Sequence, residues 1–160
     1  MQAIVYYGKG DVRFDDSFPE PQISKPDDVK LKVLYASICG SDLKEMTVGD
    51  IFMKPNGNLI SGLKSKEGCV MGHEISAQVI EVGDHVANFK PGDHVVVEVT
   101  GTCMDKERFE KSPRKHEGFC EACKAGHYNA CDYLALTGLG FQHGGLAEYL
   151  VTGQHKLINF

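Results

Sequence analysis

Ile75-Ser76-Ala77-Gln78-Val79-Ile80-Glu81-Val82, the turn Gly83-Asp84-His85, and then Lys90-Pro91-Gly92-Asp93-His94-Val95-Val96-Val97-Glu98-Val99 form the stretch on which the fold turns. In the first run apolar and polar residues largely alternate, the period of a strand with one buried face, and the β-branched content suits a pleated surface. Val82-Gly83-Asp84-His85 and Lys90-Pro91-Gly92-Asp93 carry residues that favour tight turns, because Pro presets φ and Gly accepts positive φ. Strands are therefore expected over Ile75–Val82 and Val95–Val99. Working outward, Ala3–Tyr6 and Val29–Ile38 read as strands on the same grounds, each bounded by Gly, Pro or Asp. Short strands and frequent turns predict a mainly β chain shaped as a small barrel. The best helical segment is short, Ser41–Met46, with Ser41 able to cap its first turn and Asp42 near the positive end of the helix dipole.

Composition narrows the function classes. Against 17 Lys+Arg stand 22 Asp+Glu, so a nucleic-acid surface is not expected, and 160 residues fit one globular domain with little room for a second. Hydrophobic residues at 42% supply a core, while 18 Gly and 6 Pro demand that the chain turn often. No apolar run approaches the roughly 20 residues of a membrane-spanning helix, and Met1–Tyr7 lacks a basic flank. A soluble, cytoplasmic protein without membrane partners is expected.

Two segments stand apart from this pattern. Residues 104–117 mix charges of both signs and offer almost nothing to bury, so they are expected to form an exposed excursion. Residues 49–68 are rich in Gly, Lys and Asn and read as a long loop whose position before His73 suits a covering role.

Six cysteines without a signal peptide read as metal ligands, reactive thiols or buried hydrophobes and not as a disulfide framework. Cys120-x2-Cys123-x7-Cys131 is the specific signal, because a two-residue gap lets both sulfurs face one ion at a zinc–sulfur distance of about 2.3 Å. A dithiol–disulfide role for Cys120 and Cys123 needs a βαβ context that the flanks do not offer. Cys39 ends an apolar run, Val33–Ile38, and precedes Gly40. By itself such a cysteine is more often a small buried hydrophobe. His73-Glu74 opens a strand, where neighbouring side chains point to opposite faces, so both could ligate one ion only at a bend. Cys69 is expected to pack.

Ile38-Cys39-Gly40-Ser41-Asp42, Gly72-His73-Glu74 and Phe89-Lys90-Pro91-Gly92-Asp93-His94-Val95 together resemble the zinc-dependent medium-chain alcohol dehydrogenases. Through Cys120-Glu121-Ala122-Cys123 and Gly144-Gly145-Leu146-Ala147-Glu148-Tyr149 the resemblance is closest to the polyol and 2,3-butanediol dehydrogenase branch, fungal forms included. One departure is visible: Ala77 stands where the family pattern has Gly three residues after the Glu. The resemblance covers nearly the whole chain. It implies a GroES-like partly open barrel with short helices across residues 1–160, carrying a cysteine-rich zinc lobe at residues 100–135.

By the same resemblance, Cys39 and His73 would ligate a catalytic zinc, with Glu74 a ligand or a nearby carboxylate, and Ser41 would receive the proton of the substrate alcohol. The structural zinc of the family takes four cysteines, the first normally three residues before the second. That place is held here by Glu117, while Cys103 lies seventeen residues before Cys120. Cys103 is the favoured fourth ligand, since loop closure costs grow slowly with length and a closed four-thiolate shell is preferred. Glu117 is the alternative.

The glycine-rich dinucleotide turn Gly-x-Gly-x-x-Gly does not occur, and Gly138-Leu139-Gly140 runs into Phe141-Gln142-His143 instead. The expected function is therefore that of an NAD(P)-linked dehydrogenase domain for a secondary alcohol or vicinal diol, lacking its cofactor half and inactive alone. The resemblance also allows a homo-oligomer. The competing expectation is a non-catalytic zinc-binding GroES-like module.

Overall fold

The computed structural model describes all 160 residues. Its strands are β1 (Ala3–Gly8), β2 (Asp11–Asp15), β3 (Asp28–Ser37), β4 (Cys69–Val70), β5 (Glu74–Val82), β6 (His94–Val97), β7 (Thr100–Gly101), β8 (Ala135–Leu136), β9 (Tyr149–Gly153) and β10 (Leu157–Asn159). The helices are α1 (Gly40–Val48) and α2 (Glu121–Lys124). A five-stranded antiparallel sheet in the order β10-β6-β5-β3-β9 carries the main core, β2-β1-β4 form a second sheet, and β7-β8 a third. The sheets do not close into a continuous barrel, as expected of a partly open one. No helix is long and apolar enough to cross a membrane.

The alternation read in the sequence does what it promises on β5. Ile75, Ala77 and Val79 are buried and meet Val29, Leu31, Val95, Val97, Leu150 and Leu157 in one cluster. Each fully buried aliphatic side chain of this kind is worth about 1.5–3 kcal/mol relative to exposure. The turn Lys90–Asp93 returns the chain so that Ser76, Ala77 and Gln78 face Val96, Val95 and His94 in register. Strands β2, β9 and β10 escaped the sequence reading because they are three to five residues long and border turns.

In the apolar run Val33–Ile38, Leu34, Tyr35 and Ile38 are exposed, because β9 pairs with β3 only as far as Lys32 and a register shift falls between Val33 and Tyr35. Two expectations need correction. The helix starts one residue before Ser41 and runs to Val48. Its N-cap is Cys39, whose backbone N–H donates to Asp42 Oδ2 at 2.9 Å, so Ser41 is not the cap.

The second correction concerns residues 104–117. Cys103–Arg108 form a 3-10 helix with Asp105 and Lys106 buried, and only the stretch beyond Phe109 is largely exposed. Asp105 accepts hydrogen bonds from the Thr102 N–H at 2.8 Å and the Lys156 ammonium at 3.1 Å, and lies 2.9 Å from His155 Nε2. Arg108 reaches back to Asp27 and Asp28, and Phe109 stands edge-on to Phe141 with centroids 5.1 Å apart. Charges that look solvated in a local window are buried here because their opposite-signed partners come from elements some 50 and 80 residues away.

The loop 49–68 is docked. Met53, Ile60, Ser61 and Ser65 are buried, and the Ser61 hydroxyl donates to the Gly140 carbonyl at 3.3 Å.

Candidate functional site

His73 is set by a crossing of backbones. Residues 144–146 hydrogen-bond to residues 70–72 through Gly144 N–H to Val70 O, Gly145 N–H to Gly72 O and Leu146 N–H to Met71 O, all within 2.9 Å. Gly138 approaches the same point so closely that a Cβ on it would lie 2.3 Å from the Gly72 carbonyl oxygen. Gly72 itself has φ +89. The glycines around residue 140 therefore serve close packing behind His73 and form no phosphate cradle.

The imidazole ring projects from this crossing toward the first turn of α1. The Ser41 Oγ lies 3.1 Å from His73 Nε2, and Asp42 Oδ1 lies 3.4 Å from His73 Nδ1. The Asp42 side chain is fully buried and the His73 side chain 10% exposed. Asp42 Oδ1 and His73 Nδ1 are both buried without a hydrogen-bond partner. A carboxylate facing Nδ1 favours the tautomer that keeps its proton there and leaves Nε2 with a free lone pair, the arrangement of a ligating histidine with an orienting acid. Asp42 was read in the sequence only as a helix-dipole residue. Its place three residues after Cys39, on the same helical face, was the signal available.

Cys39 is half-buried at the N-cap, next to this cluster in sequence. Glu74 is exposed at the start of β5, opposite Ser37. The thiol of Cys39, the imidazole of His73 and the carboxylate of Glu74 are not drawn into one tight group. Strand alternation gives the reason for Glu74, which points away from its neighbour's face.

The four remaining cysteines do converge. Cys103, Cys120, Cys123 and Cys131 are buried and their sulfurs all lie within 4.8 Å of one another. Cys103 and Cys131 are 3.6 Å apart and Cys120 and Cys131 3.9 Å, too far for a disulfide and close to the edge of about 3.8 Å that four sulfurs bound at 2.3 Å would form around one ion. Backbone N–H groups of Cys123 and Asp132 directed at the Cys120 sulfur pull its thiol down to about 6, whereas burial pushes Cys103 and Cys123 up. A buried set of thiols that repel one another's ionisation fits a cation that lets all of them ionise. Glu117 is exposed and paired with Arg114, so Cys103 is the fourth member of the group. Cys69 packs as expected, its thiol pushed to about 12 by burial.

A cavity of about 670 Å³ lies elsewhere, between Asp27, Arg108, Tyr128 and His155. Its buried charges are paired within the protein: Arg108 with Asp27 and Asp28, Lys156 with Asp105.

A family model described as the alcohol dehydrogenase GroES-like domain matches residues 25–160. Over 154 residues the chain is 44% identical to the probable diacetyl reductase 2, (R)-acetoin forming, of Saccharomyces cerevisiae, covering 96% of this chain and 37% of that protein. It is 39% identical over 158 residues to the (R,R)-butanediol dehydrogenase of the same yeast, covering 99% and 41%. Among solved structures it is similar to 2R,3R-butanediol dehydrogenase from Bacillus subtilis, with a TM-score of 0.78 and 31% identity over 99% of this chain and 40% of that one. The chain thus spans about two fifths of the length of the relatives it matches.

Proposed function

The chain belongs to the alcohol dehydrogenase GroES-like domain family, and from that membership we propose that it is the zinc-holding, alcohol-binding part of an NAD(P)-linked dehydrogenase acting on a secondary alcohol or vicinal diol. The observation that carries this reading is the contact of Ser41 and Asp42 with opposite nitrogens of His73. Residues 1–160 act as one domain, with residues 100–135 as its metal lobe. Six free thiols suit a cytoplasmic setting.

Cys39 and His73 are the proposed protein ligands of a catalytic zinc, with Glu74 as a ligand or an adjacent carboxylate. Zinc supplies a Lewis acid that lowers the pKa of a bound hydroxyl. The other steps belong to the chain itself. Asp42 fixes the His73 ring and its tautomer. The Ser41 hydroxyl takes the proton of the substrate alcohol, being held at the mouth of the site by the first turn of α1. Cys103, Cys120, Cys123 and Cys131 hold a structural zinc that ties the lobe together. No glycine-rich dinucleotide turn occurs in these residues, so NAD or NADP is proposed to be held by further residues of a longer enzyme.

A second reading, a non-catalytic zinc-binding module, is favoured by the fact that only the four cysteines converge. Metal analysis separates the two. The dehydrogenase reading expects two zinc ions per chain, one lost on Cys39→Ser or His73→Ala and the other on Cys120→Ser, with cobalt substitution giving distinct spectra for the two sites. One zinc, indifferent to His73→Ala, would support the module and sink the catalytic assignment.

A further inference from the structure

Cys103 is the one member of the cysteine group that no neighbouring cysteine places. Cys120 caps α2, Cys123 lies within it and Cys131 follows the next 3-10 turn, whereas Cys103 lies seventeen residues before Cys120. The chance that a free chain brings its ends together falls as about the 3/2 power of its length, so a seventeen-residue gap closes roughly tenfold less often than the three-residue step from Cys120 to Cys123. The strand pairing that leads to Cys103 is two residues long, Thr100 with Leu136 and Gly101 with Ala135. A ladder that short is marginal by itself.

Charged side chains hold Cys103 from both sides. The Asp105 carboxylate accepts from the Thr102 N–H at 2.8 Å, which closes residues 102–105 into a ring with the cysteine inside it. The Lys156 ammonium donates both to the Thr100 carbonyl and, at 3.1 Å, to Asp105, and so grips the chain before and after Cys103. Arg108 ties the far end of the same 3-10 helix to Asp27 and Asp28, where β3 begins. Asp28 is itself fixed by the N–H groups of Ser24 and Lys25, each at 2.9 Å. Asp28, Asp105 and Lys156 are buried, and Cys103 is closed to solvent altogether.

We propose that Asp105, Lys156 and Arg108 are positioning residues of the metal lobe, clamping Cys103 to the body of the domain so that zinc finds its fourth thiolate already in place. The inference rests on the reading of the four cysteines as a zinc site and adds to it three residues that touch no metal. It makes the start of the charged excursion part of the site's construction.

The first test is chelator competition on the zinc-loaded chain. Asp105→Asn combined with Lys156→Met removes both charges of the buried pair, leaves neither one unpaired, and keeps an oxygen to accept from the Thr102 N–H. This double variant should raise the zinc dissociation constant of the cysteine group about tenfold, the factor set by the gap, with all four cysteines still present. Val79→Ala, in the core of the main sheet, lowers stability without touching the clamp and should leave that constant within about twofold.

A second measurement needs no variant. With zinc withdrawn under reducing conditions, alkylation by iodoacetamide, read at each cysteine by mass spectrometry, should find Cys103 as slow as Cys69 in the body of the domain and Cys131 at least about tenfold faster, because buried thiols react only through local opening. In the double variant Cys103 should react as fast as Cys131. An unchanged dissociation constant in the double variant, or an equal rise in Val79→Ala, would overturn the proposal, as would Cys103 alkylated as fast as Cys131 in the unaltered chain. Zinc content left whole by Cys120→Ser would instead overturn the metal reading itself, and the clamp with it.

Discussion

Gly138→Ala probes the backbone crossing that aims His73, and its cost can be worked from two contributions. Gly138 has φ +72, where an L side chain loses roughly 1–2 kcal/mol. The added Cβ would lie 2.3 Å from the Gly72 carbonyl oxygen and 2.7 Å from its carbon, so one of two backbones must give way by about 1 Å to reach an ordinary carbon–oxygen separation. No flexible side chain is available to yield. Overpacking of this kind costs about 1–3 kcal/mol, and the stiffer unfolded chain returns about 0.4–1 kcal/mol. A net loss of about 2–4 kcal/mol lowers the Tm by roughly 5–15 °C for a chain of this size. Gly92→Ala is the matched control: φ is +99 and no heavy atom lies within 4 Å, so only the conformational contribution applies, about 1 kcal/mol after the same offset. Urea denaturation of both variants gives the difference, and the ring resonances of His73 report whether Gly72 has moved. Equal stability of the two variants within about 0.5 kcal/mol, with His73 unshifted, would refute the crowding argument.

Cys103→Ser and Cys120→Ser should each release the zinc of the cysteine group, measured by chelator-reported metal release, whereas Glu117→Gln should retain it because Glu117 is engaged with Arg114 at the surface. Arg108→Ala should destabilise the chain by about 2–3 kcal/mol and expose residues 104–109 to proteolysis, since it leaves the buried Asp28 carboxylate without its cation. Burial holds the His143 ring below the ordinary imidazole value of 6.5. A depressed histidine binds its proton more readily in the unfolded chain, so this group's contribution is present above about pH 6.5 and is lost as pH falls below it. Chemical denaturation between pH 5 and 8 should show that slope, flattened in His143→Gln; an unchanged slope in the variant would assign it elsewhere.

Local chemistry was legible where one element decides the outcome by itself. The alternation of Ile75–Val82 gave β5 its buried face, and the turns at Gly83 and Pro91 gave its boundaries. The two-residue gap of Cys120 and Cys123 put two sulfurs together because a short turn of helix leaves little freedom between them. The motif residues Cys39, Ser41 and His73 named a candidate site, of which Ser41 and His73 meet in the fold. Less legible were β2, β9 and β10, whose few residues carry too little periodicity to register, and the run Val33–Ile38, whose Leu34, Tyr35 and Ile38 remain exposed because β9 stops pairing at Lys32.

What sequence determined, then, was the set of strands with strong alternation and the cysteine spacing, and it named the residues of a candidate site. Tertiary structure decided which groups meet. The choice between Cys103 and Glu117 depended on how residues 104–117 return to the body, and that return is made by Arg108 and Asp105 with partners on β3 and beside β10. Whether Ser41 meets His73 depended on where the Gly72–Gly138–Gly144 crossing places the imidazole. Periodicity and spacing act over a few residues, through the geometry of one turn or pleat. A buried ion pair or a backbone crossing joins positions dozens of residues apart, and its free energy exists only once the chain has folded to bring them within a few ångströms.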